Sequence, residues 1–413
     1  MRSRVAPDSD DRVRTGRAIE TRRRPVSQPH SLSPLNLRSG TAMPDPQPNP
    51  PSWLPKQQIV VAQLASGILE YAQHAAAGGS FRLPYPANLQ LALDRLTLLA
   101  WQQDAPAPTS VVDLLQLAEQ PFDDWKISLA DADVDPDESL LAYGRPTVTC
   151  EELGSLRGDV EGEIRENALM RAVMDKARAA DAPQSYVAFR KLLIRHPAIA
   201  ALDLDSRLAE PDLALLAGEV RDAYLPAPPQ AIADGVVRTC AGCNGLRLPL
   251  DDDRSWVCED ETCPAPGTAG VDHPAGEGVW WLRRELRTFI TAPGRAELRI
   301  ADELSRLGVP VRLWPDFDAC DVAVFGERPW IADVKAWRNP IRLARRLRER
   351  LFTVPAEAEK AFIVIGQEQV RAHPRYLDRL RKACPQVRPG QRVVAVSEAE
   401  FVRAVRKRME AAA

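Results

Sequence analysis

Apolar residues recur at three- and four-residue spacings through the first half of the chain, which is the spacing of one helix face. The pattern predicts helices over residues 57–74, 88–103 and 185–196, and a long charged helical stretch over 153–180 with Gly158 or Gly162 as a candidate break. We found no residues with catalytic spacing in these helices. We therefore interpret residues 56–225 as a mostly helical interaction or scaffold domain.

The last part of the chain alternates short apolar runs with helical periodicity. A Trp-, Leu- and Arg-rich stretch over 279–290 is predicted to be a helix, and Gly294 is predicted to separate it from a second helix over 295–307. Predicted strands follow at 309–314, 321–325, 329–335, 361–365 and 392–396, with predicted helices after Asn339, at 375–383 and after Ser397. These elements have the order αβββαβαβα.

A predicted β-hairpin over residues 321–335 carries the most informative polar side chains. Its turn signal is Gly-Glu-Arg at 326–328, which fits a three-residue hairpin loop. With the turn centred on the middle residue, Asp321 faces Asp333, and side-chain alternation puts Lys335 on the same face. Two facing carboxylates repel each other. A sequence tolerates them when a cation lies between them.

Facing acids beside a lysine are the groups that phosphodiester hydrolysis requires. Hard oxygen ligands hold Mg²⁺ against the scissile phosphate, and the metal polarises the phosphoryl group and activates a water. A nearby lysine orients that water and neutralises the developing charge. The hairpin therefore predicts a nuclease site in which Asp321 and Asp333 bind metal and Lys335 assists the attacking water.

The same stretch resembles the PD-(D/E)xK restriction-endonuclease-like superfamily, with Asp321 as the first acid and Asp333-Val334-Lys335 as the D-x-K. The resemblance implies catalytic Mg²⁺, a further ligand from the Val334 backbone carbonyl, and an α/β domain with a mixed sheet over 279–413. It also implies an acid from the first helix of that domain, and Glu297 matches this position.

Glu297 falls near the middle of the apolar stripe that Ile300 and Leu304 define on the helix over 295–307. A carboxylate on a buried face requires a partner. Two interpretations stay open: an acid at the active site, or a glutamate stabilised by the macrodipole at a helix N-terminus. Glu303, at the edge of the stripe, is the alternative active-site acid.

Four of the seven cysteines have the spacing C-x2-C-x14-C-x4-C in polar sequence, where free thiols have no packing role. They are Cys240, Cys243, Cys258 and Cys263. Two close pairs of thiolates separated by a loop hold Zn²⁺ as in zinc ribbons. Residues 236–275 are therefore predicted to be a structural zinc element whose metal supplies its folding energy. The x4 spacing departs from the commoner x2 and leaves His273 as an alternative ligand.

Charge divides unevenly along the chain, whose net charge is −3. Residues 280–413 carry 27 Lys and Arg against 17 Asp and Glu, whereas residues 43–279 carry 18 against 36. The basic end favours a polyanionic substrate such as nucleic acid. Arg342, Arg345 and Arg346 are expected to face outward, toward phosphates. The acidic middle favours a protein partner.

The rest of the sequence gives predictions for the first residues of the chain, for a domain boundary and for the cellular compartment. Residues 1–55 are rich in Arg, Ser and Pro, which predicts a disordered basic arm; alternatively, translation begins at Met43. A Pro-rich segment at 225–230 is predicted to be a linker and domain boundary. We see no secretory signal and no apolar run near the ~20 residues of a membrane span. The cysteine usage indicates a reducing cytoplasm.

The whole chain also resembles the nuclease component found beside prokaryotic PIWI-RE proteins in bacterial defence systems. The stretches that carry the resemblance are YPANLQLALDRLTLLAW, FRKLLIRHP, the four cysteines and WIADVKAW. It implies a three-gene system with a PIWI-like protein and a helicase as partners. The expected function is a Mg²⁺-dependent endonuclease acting on DNA. The alternative is a non-catalytic zinc-containing nucleic-acid-binding subunit, although a binding module has no need of facing acids.

Overall fold

The computed structural model describes residues 56–76, 83–156, 161–250, 255–263, 265, 269–326 and 328–412. The predicted arm over 1–55 and Glu327, the centre of the predicted hairpin turn, lie outside the described residues. None of the helices in this described part combines the length and the apolar character needed to cross a membrane.

The first part of the described chain is helical, as its apolar spacing predicts. Its elements are α1 (Gln57–Ala76), α2 (Ala87–Gln102), α3 (Val111–Ala118), β1 (Leu141–Ala142), β2 (Arg145–Pro146), α4 (Val148–Ser155), α5 (Glu161–Ala179) and α6 (Pro183–Arg195). Leu64 of α1, Leu96 of α2 and Leu153 of α4 belong to one apolar core. The charged helical stretch over 153–180 is divided between α4 and α5, in line with the alternative of a broken helix.

A short helical segment and the cysteine-rich sheet follow α6. The elements are β3 (Ala198–Ala200), α7 (Ala201–Leu208), α8 (Pro211–Ala214), α9 (Ala217–Ala223), β4 (Tyr224–Pro226), β5 (Ile232–Ala233), β6 (Val236–Cys240), β7 (Leu246–Pro249), β8 (Trp256–Cys258) and β9 (Gly270–Pro274). Strands β5 to β8 are neighbours in sequence order, and β9 pairs with β6. All these pairs are antiparallel.

The next strand, β10 (Val279–Leu282), returns to the helical part and pairs antiparallel with both β3 and β4. The helix predicted over 279–290 is therefore wrong for its first residues. Val279 and Leu282 are buried at a three-residue spacing that imitates a helix face. The free edges of β3 and β4 instead give this segment backbone partners on both sides.

The Pro-rich segment at 225–230 thus connects elements whose strands share a sheet. One apolar core also contains residues from before and after it, including Phe189 and Leu193 of α6 together with Leu286 and Trp314. The division into domains at 56–225, 236–275 and 279–413 remains a proposal.

Helical structure resumes at α10 (Arg284–Leu286), passes through a π-helical turn at Arg287–Thr291 and continues directly into α11 (Ala292–Arg306). The prediction that Gly294 separates two helices is wrong. A Cβ atom at position 294 would lie 2.4 Å from the Cδ1 of Ile194. The glycine therefore permits α11 to pack closely against α6.

The carboxy-terminal part contains the predicted order αβββαβαβα, beginning with α11. Its further elements are β11 (Val311–Leu313), the single turn α12 (Pro315–Asp318), β12 (Val322–Val324), β13 (Trp330–Lys335), α13 (Pro340–Glu349), β14 (Lys360–Ile365), the short α14 (Gln367–Ala372), α15 (Tyr376–Ala383), β15 (Val393–Ser397) and α16 (Glu398–Ala412). The strands follow the order β11-β12-β13-β14-β15 in one mixed sheet. The first three are antiparallel neighbours, and β13, β14 and β15 run parallel.

Helices cover both faces of this sheet. Residues of α11 and α16 pack on the face that contains Val322 and Ala332. Residues of α13 and α15 pack on the face that contains Ala323 and Ile331. Side chains alternate along a strand, so the predicted acids of the hairpin belong to the second face.

The expectation that the arginines of α13 face outward is wrong for Arg342. Its side chain is 0% exposed. It donates hydrogen bonds to both carboxylate oxygens of Glu138, at 2.7 and 2.8 Å, and to Glu152 at 2.7 Å. Arg345 lies 3.8 Å from Asp133. The acidic middle and the basic end of the chain therefore neutralise each other, in part, across an internal interface.

Candidate functional site

Asp321 and Asp333 flank the last regular pair of the hairpin. β12 and β13 pair Val322 with Ala332, which is the register predicted from the turn. Asp321 immediately precedes β12, and its backbone N–H donates a hydrogen bond to the Ala332 carbonyl at 3.1 Å. The regular pairing ends at Val322 and Ala332, so Asp321 and Asp333 lie just beyond it, one on each side of the hairpin.

The Asp321 carboxylate takes the place of a backbone acceptor at the end of the ladder. Its Oδ2 accepts a hydrogen bond from the N–H of Val334 at 2.6 Å. The N–H and C=O of one residue point to the same side of a strand. The Val334 carbonyl therefore points to the β12 side, beyond the first residue of β12. This is the side on which the sequence predicts a metal ligand.

Lys335 forms an ion pair with the neighbouring acid of its own strand. Its Nζ donates to Asp333 Oδ1 at 2.8 Å, and the two side chains are 31% and 18% exposed. Burial alone would lower the pKa of Lys335, but the charges of Asp333 and Asp321 outweigh it and raise the pKa. The lysine is therefore a cation at neutral pH, held beside both acids.

Glu297 lies on the buried face of α11, with 1% of its side chain exposed. Its Oε2 accepts hydrogen bonds from Arg190 Nη2, at 3.2 Å, and from Trp314 Nε1. The alternative of a glutamate at a helix N-terminus is wrong, because the helical run begins at Arg284. Glu303, the other candidate acid, is exposed.

Arg190 and Asp318 are two site residues that sequence reasoning missed. Arg190 of α6 is 3% exposed, and its Nη1 donates to Asp318 Oδ2 at 2.8 Å. A signal was available: Arg190 lies four residues after Tyr186 and three before Leu193, within the apolar stripe of α6. Asp318 carries no such signal.

The electrostatics of the site disfavour ionised acids. Burial, followed by the charges of Glu297, Asp333 and Asp318, raises the pKa of Asp321 well above its usual value. Burial also raises the pKa of Glu297, although the charge of Arg190 opposes this. A concentration of carboxylates with raised pKa values is typical of a functional site.

These side chains line one large cleft with a volume of about 1500 Å³. Its walls come from the helical part, the cysteine-rich sheet and the carboxy-terminal part. The charged residues of the site that line this cleft are Arg190, Glu297, Asp318, Asp321, Asp333 and Lys335. The cleft is large enough to admit a substrate segment to the acids.

The acids offer a suitable donor set for a hard divalent cation. Glu297, Asp321 and Asp333 each have one oxygen held by a protein donor. No described residue donates a hydrogen bond to the other oxygen of any of the three. Their ligand atoms are gathered less tightly than those of the four cysteines, which alone among the described residues form a group within 4.8 Å. Carboxylate oxygens are the ligands that Mg²⁺ prefers.

The four cysteine Sγ atoms all lie within 4.8 Å of one another, so this group is able to bind a metal ion such as zinc. The Sγ–Sγ distance is 3.7 Å for Cys240 and Cys263 and 3.5 Å for Cys243 and Cys258. His273 is not part of this group; it lies 3.1 Å from Thr239 Oγ1. The alternative in which His273 replaces a cysteine is therefore not supported.

The x4 loop between Cys258 and Cys263 contacts the rest of the site. Asp260 Oδ2 accepts from Arg295 of α11 at 2.5 Å, and the Thr262 hydroxyl accepts from the same arginine at 2.9 Å. Glu261 accepts from Arg338 at 3.2 Å, three residues after Lys335. The two residues beyond the common x2 spacing thus belong to a loop that joins the cysteine group to α11 and to the end of β13.

Two stretches of the chain are similar to known families. Residues 60–200 match the family model described as pPIWI_RE three-gene island domain Y. Residues 294–413 match the one described as REase associating with pPIWI_RE. The curated proteins and the solved structures searched gave no match. Over these two stretches the chain is similar to the pPIWI_RE island families, which is consistent with the REase component of a pPIWI_RE system.

Proposed function

We propose that this chain is a metal-dependent endonuclease that hydrolyses nucleic-acid phosphodiester bonds, with DNA as the favoured substrate. One observation carries the proposal: Asp321 and Asp333 flank the last regular pair of the hairpin, Asp321 accepts from the Val334 N–H, and Lys335 is paired to Asp333. The similarity to two family models of the pPIWI_RE island supports a role in defence, for which we propose a PIWI-like protein and a helicase as partners.

Each residue of the site has a role in this reaction. Mg²⁺ bound here would polarise the phosphoryl group and lower the pKa of a bound water. Asp321, Asp333 and the Val334 carbonyl are the groups that would hold it. Lys335, kept charged by its acidic neighbours, orients the attacking water and stabilises the developing negative charge. Glu297 supports the metal site from α11.

We assign the carboxy-terminal part to the restriction-endonuclease-like fold of the PD-(D/E)xK superfamily, on the strength of its element order and its mixed sheet. We also assign Zn²⁺ to the four cysteines. In a tetrahedral site with Zn–S bonds of about 2.3 Å, the sulfurs lie about 3.8 Å apart. The Sγ–Sγ distances of 3.5 and 3.7 Å are close to this value.

Basic residues that take no part in the internal ion pairs are exposed on the carboxy-terminal part, and they favour a nucleic-acid substrate. The exposed ones on the carboxy-terminal part include Arg348, Arg350, Arg371, Arg375, Lys382, Arg388, Arg392, Arg403, Arg406 and Lys407. Neutralisation of backbone phosphates by such residues makes binding strongly dependent on salt. Exposed basic residues of this kind would hold the backbone while the cleft receives the scissile bond.

The rival function is a non-catalytic nucleic-acid-binding subunit that keeps the fold and the zinc. A nicking assay on supercoiled plasmid, with Mg²⁺ or with EDTA, separates the two. The proposal expects nicking that requires Mg²⁺ and is lost in Asp333→Ala, whereas Asp302→Ala, which removes an exposed acid of α11, retains it. Binding without cleavage, with every divalent metal tried, would favour the rival.

A further inference from the structure

Arg190 reaches the nuclease site from a different part of the chain. It belongs to α6, within the stretch that matches domain Y, whereas the acids belong to the stretch that matches the REase. Its partner Glu297 is 107 residues away in sequence. A guanidinium with 3% exposure requires compensation for its lost hydration. Glu297 and Asp318 supply that compensation, one for each terminal nitrogen.

The first of these contacts fixes the orientation of Glu297. Arg190 Nη2 and Trp314 Nε1 both donate to Oε2 of its carboxylate. No described residue donates to Oε1, and Glu297 lines the cleft. Two donors on one oxygen restrict the carboxylate to one orientation and leave the other oxygen for a further ligand. Hydrogen bonds of this kind orient acids toward a metal or a water.

The second contact stabilises the turn that leads into Asp321. Trp314, Asp316, Phe317 and Asp318 have φ values of 46°, 51°, 59° and 78°. Left-handed backbone at non-glycine residues is strained and persists only where the surroundings enforce it. Here the surroundings come from the helical part. Arg190 binds Asp318 and lies 4.9 Å from the Trp314 ring centroid, and Tyr186 contacts the ring of Phe317.

Both contacts converge on residues that the proposed reaction uses. A change at Arg190 would release the Glu297 carboxylate and remove the partner of Asp318, three residues before Asp321. Arg195, on the same helix, is exposed and contacts neither acid. The location of Arg190 on the apolar stripe, rather than its charge alone, is what distinguishes it from its basic neighbours.

We infer that Arg190 is a positioning residue of the nuclease site, supplied by the domain Y stretch to the REase stretch. It holds Glu297 and the turn before Asp321 in the arrangement that binds the metal. This inference rests on the proposed function. It also carries a consequence for metal binding that is measurable without cleavage.

The test uses the full chain with Arg190→Met, Arg190→Lys and Arg190→Ala, and with Arg195→Ala as the matched control. Arg190→Met removes the charge but keeps an unbranched apolar side chain against Trp314, so the packing around position 190 is retained. Calorimetry with Ca²⁺, which occupies such oxygen sites, reports metal affinity. Plasmid nicking with Mg²⁺ reports activity, and far-ultraviolet circular dichroism checks the fold.

We expect Arg190→Met to lower Ca²⁺ affinity and nicking by about 10–100-fold, the usual cost of losing a residue that orients metal ligands. Arg190→Lys should recover part of the Ca²⁺ affinity and part of the nicking activity. Lysine restores the positive charge but not the planar guanidinium that donates to two acids at once. Free guanidinium at low millimolar concentration should partly restore Arg190→Ala and leave Arg195→Ala unchanged.

A folded Arg190→Met protein with unaltered Ca²⁺ affinity and nicking would overturn the inference, and so would an increase in nicking. If the natural protein nicks nothing with any metal, the proposed function fails. The Ca²⁺ affinities then still decide the role of Arg190 in metal binding: a loss in Arg190→Met supports it, and equal values overturn it.

Discussion

Asp321 and Val334 are joined by a hydrogen bond in which a side-chain carboxylate replaces a backbone carbonyl of the sheet. The Asp321 Oδ2 accepts from the Val334 N–H at 2.6 Å. The bond leaves Oδ1 available, and it sets the peptide whose carbonyl we propose as a metal ligand. The Asp321 side chain therefore has two separate roles: Oδ2 completes the end of the sheet, and Oδ1 is free to bind the proposed metal.

Asp321→Asn separates these two roles. The amide oxygen is able to accept from the same N–H, so the sheet end should be retained, while the charge that binds metal is lost. Burial disfavours the carboxylate strongly, so the variant should be at least as stable as the natural protein without metal. Thermal unfolding and plasmid nicking check this. Full nicking in a folded Asp321→Asn protein would contradict the assignment of Asp321.

Asp333→Ala should abolish cleavage and leave the fold intact, because it removes a metal ligand but also a repulsive charge. Without Mg²⁺ its melting temperature should equal or exceed that of the natural protein. Lys335→Ala should still bind Ca²⁺ by calorimetry, yet cleave about 10²–10³-fold more slowly, because it loses the charge beside the attacking water. Glu297→Gln should be milder than Asp333→Ala.

These three variants give a ranking that a purely structural site would not produce. If Lys335→Ala lost metal binding as completely as Asp333→Ala, the division of roles between ligand and lysine would be wrong. Stability losses that paralleled the activity losses would equally contradict it, since the site is expected to be destabilising without its metal.

Cys240→Ser should remove the metal of the cysteine group and lower nuclease activity together with it. The loop that carries Asp260 and Glu261 would lose its anchor, and with it the contacts to Arg295 and Arg338. Elemental analysis of reduced protein should find about one zinc ion per natural chain, as expected for a four-thiolate site. Cys384→Ser, a buried cysteine outside the group, is the control and should keep the zinc.

The pair of Glu138 and Arg342 should make the internal interface sensitive to acid. Burial alone would raise the pKa of Glu138, but the hydrogen bonds and charge of Arg342 outweigh it and lower the pKa. A folded-state pKa below the unfolded one contributes stability that is present above the unfolded value of about 4.3 and lost as pH falls through the folded pKa.

Glu138→Gln should therefore cost about 3 kcal/mol at neutral pH, because it leaves a buried arginine with one fewer countercharge. Its stability should also fall less steeply below pH ~4.3, the ordinary glutamate value, than that of the natural protein. Urea unfolding at several pH values measures both effects. Parallel curves for the two proteins would show that Glu138 does not control this part of the acid dependence.

Local features of the chain were predictable from sequence because their causes are local. The hairpin register follows from turn length and strand alternation, and the observed pairing of Val322 with Ala332 confirms it. The start of the helix predicted after Ser397 is also confirmed, and Ser397 and Glu400 exchange hydrogen bonds at 2.9 and 3.2 Å there. Burial of Glu297 followed from helical periodicity alone.

The errors concern residues whose partners are distant in sequence. Arg342 was expected to face solvent, and only the folded chain brings Glu138, 204 residues away, against it. Val279–Leu282 has the apolar spacing of a helix turn, and its strand conformation depends on the free edges of β3 and β4. Arg190 had a local signal, a charge on an apolar stripe, but its partner could not be identified without the packing of α6 on α11.

The burial of Arg342 has a consequence for how the protein responds to ionic strength. Screening acts on charges in contact with solvent, over about 10 Å at 0.1 M salt, and much less on charges enclosed by protein. Salt should therefore release a polyanion held by the exposed arginines while the enclosed pairs persist. The protein is expected to withstand washing at high salt with its internal interface closed, so that nucleic acid carried along from cells is removable without unfolding.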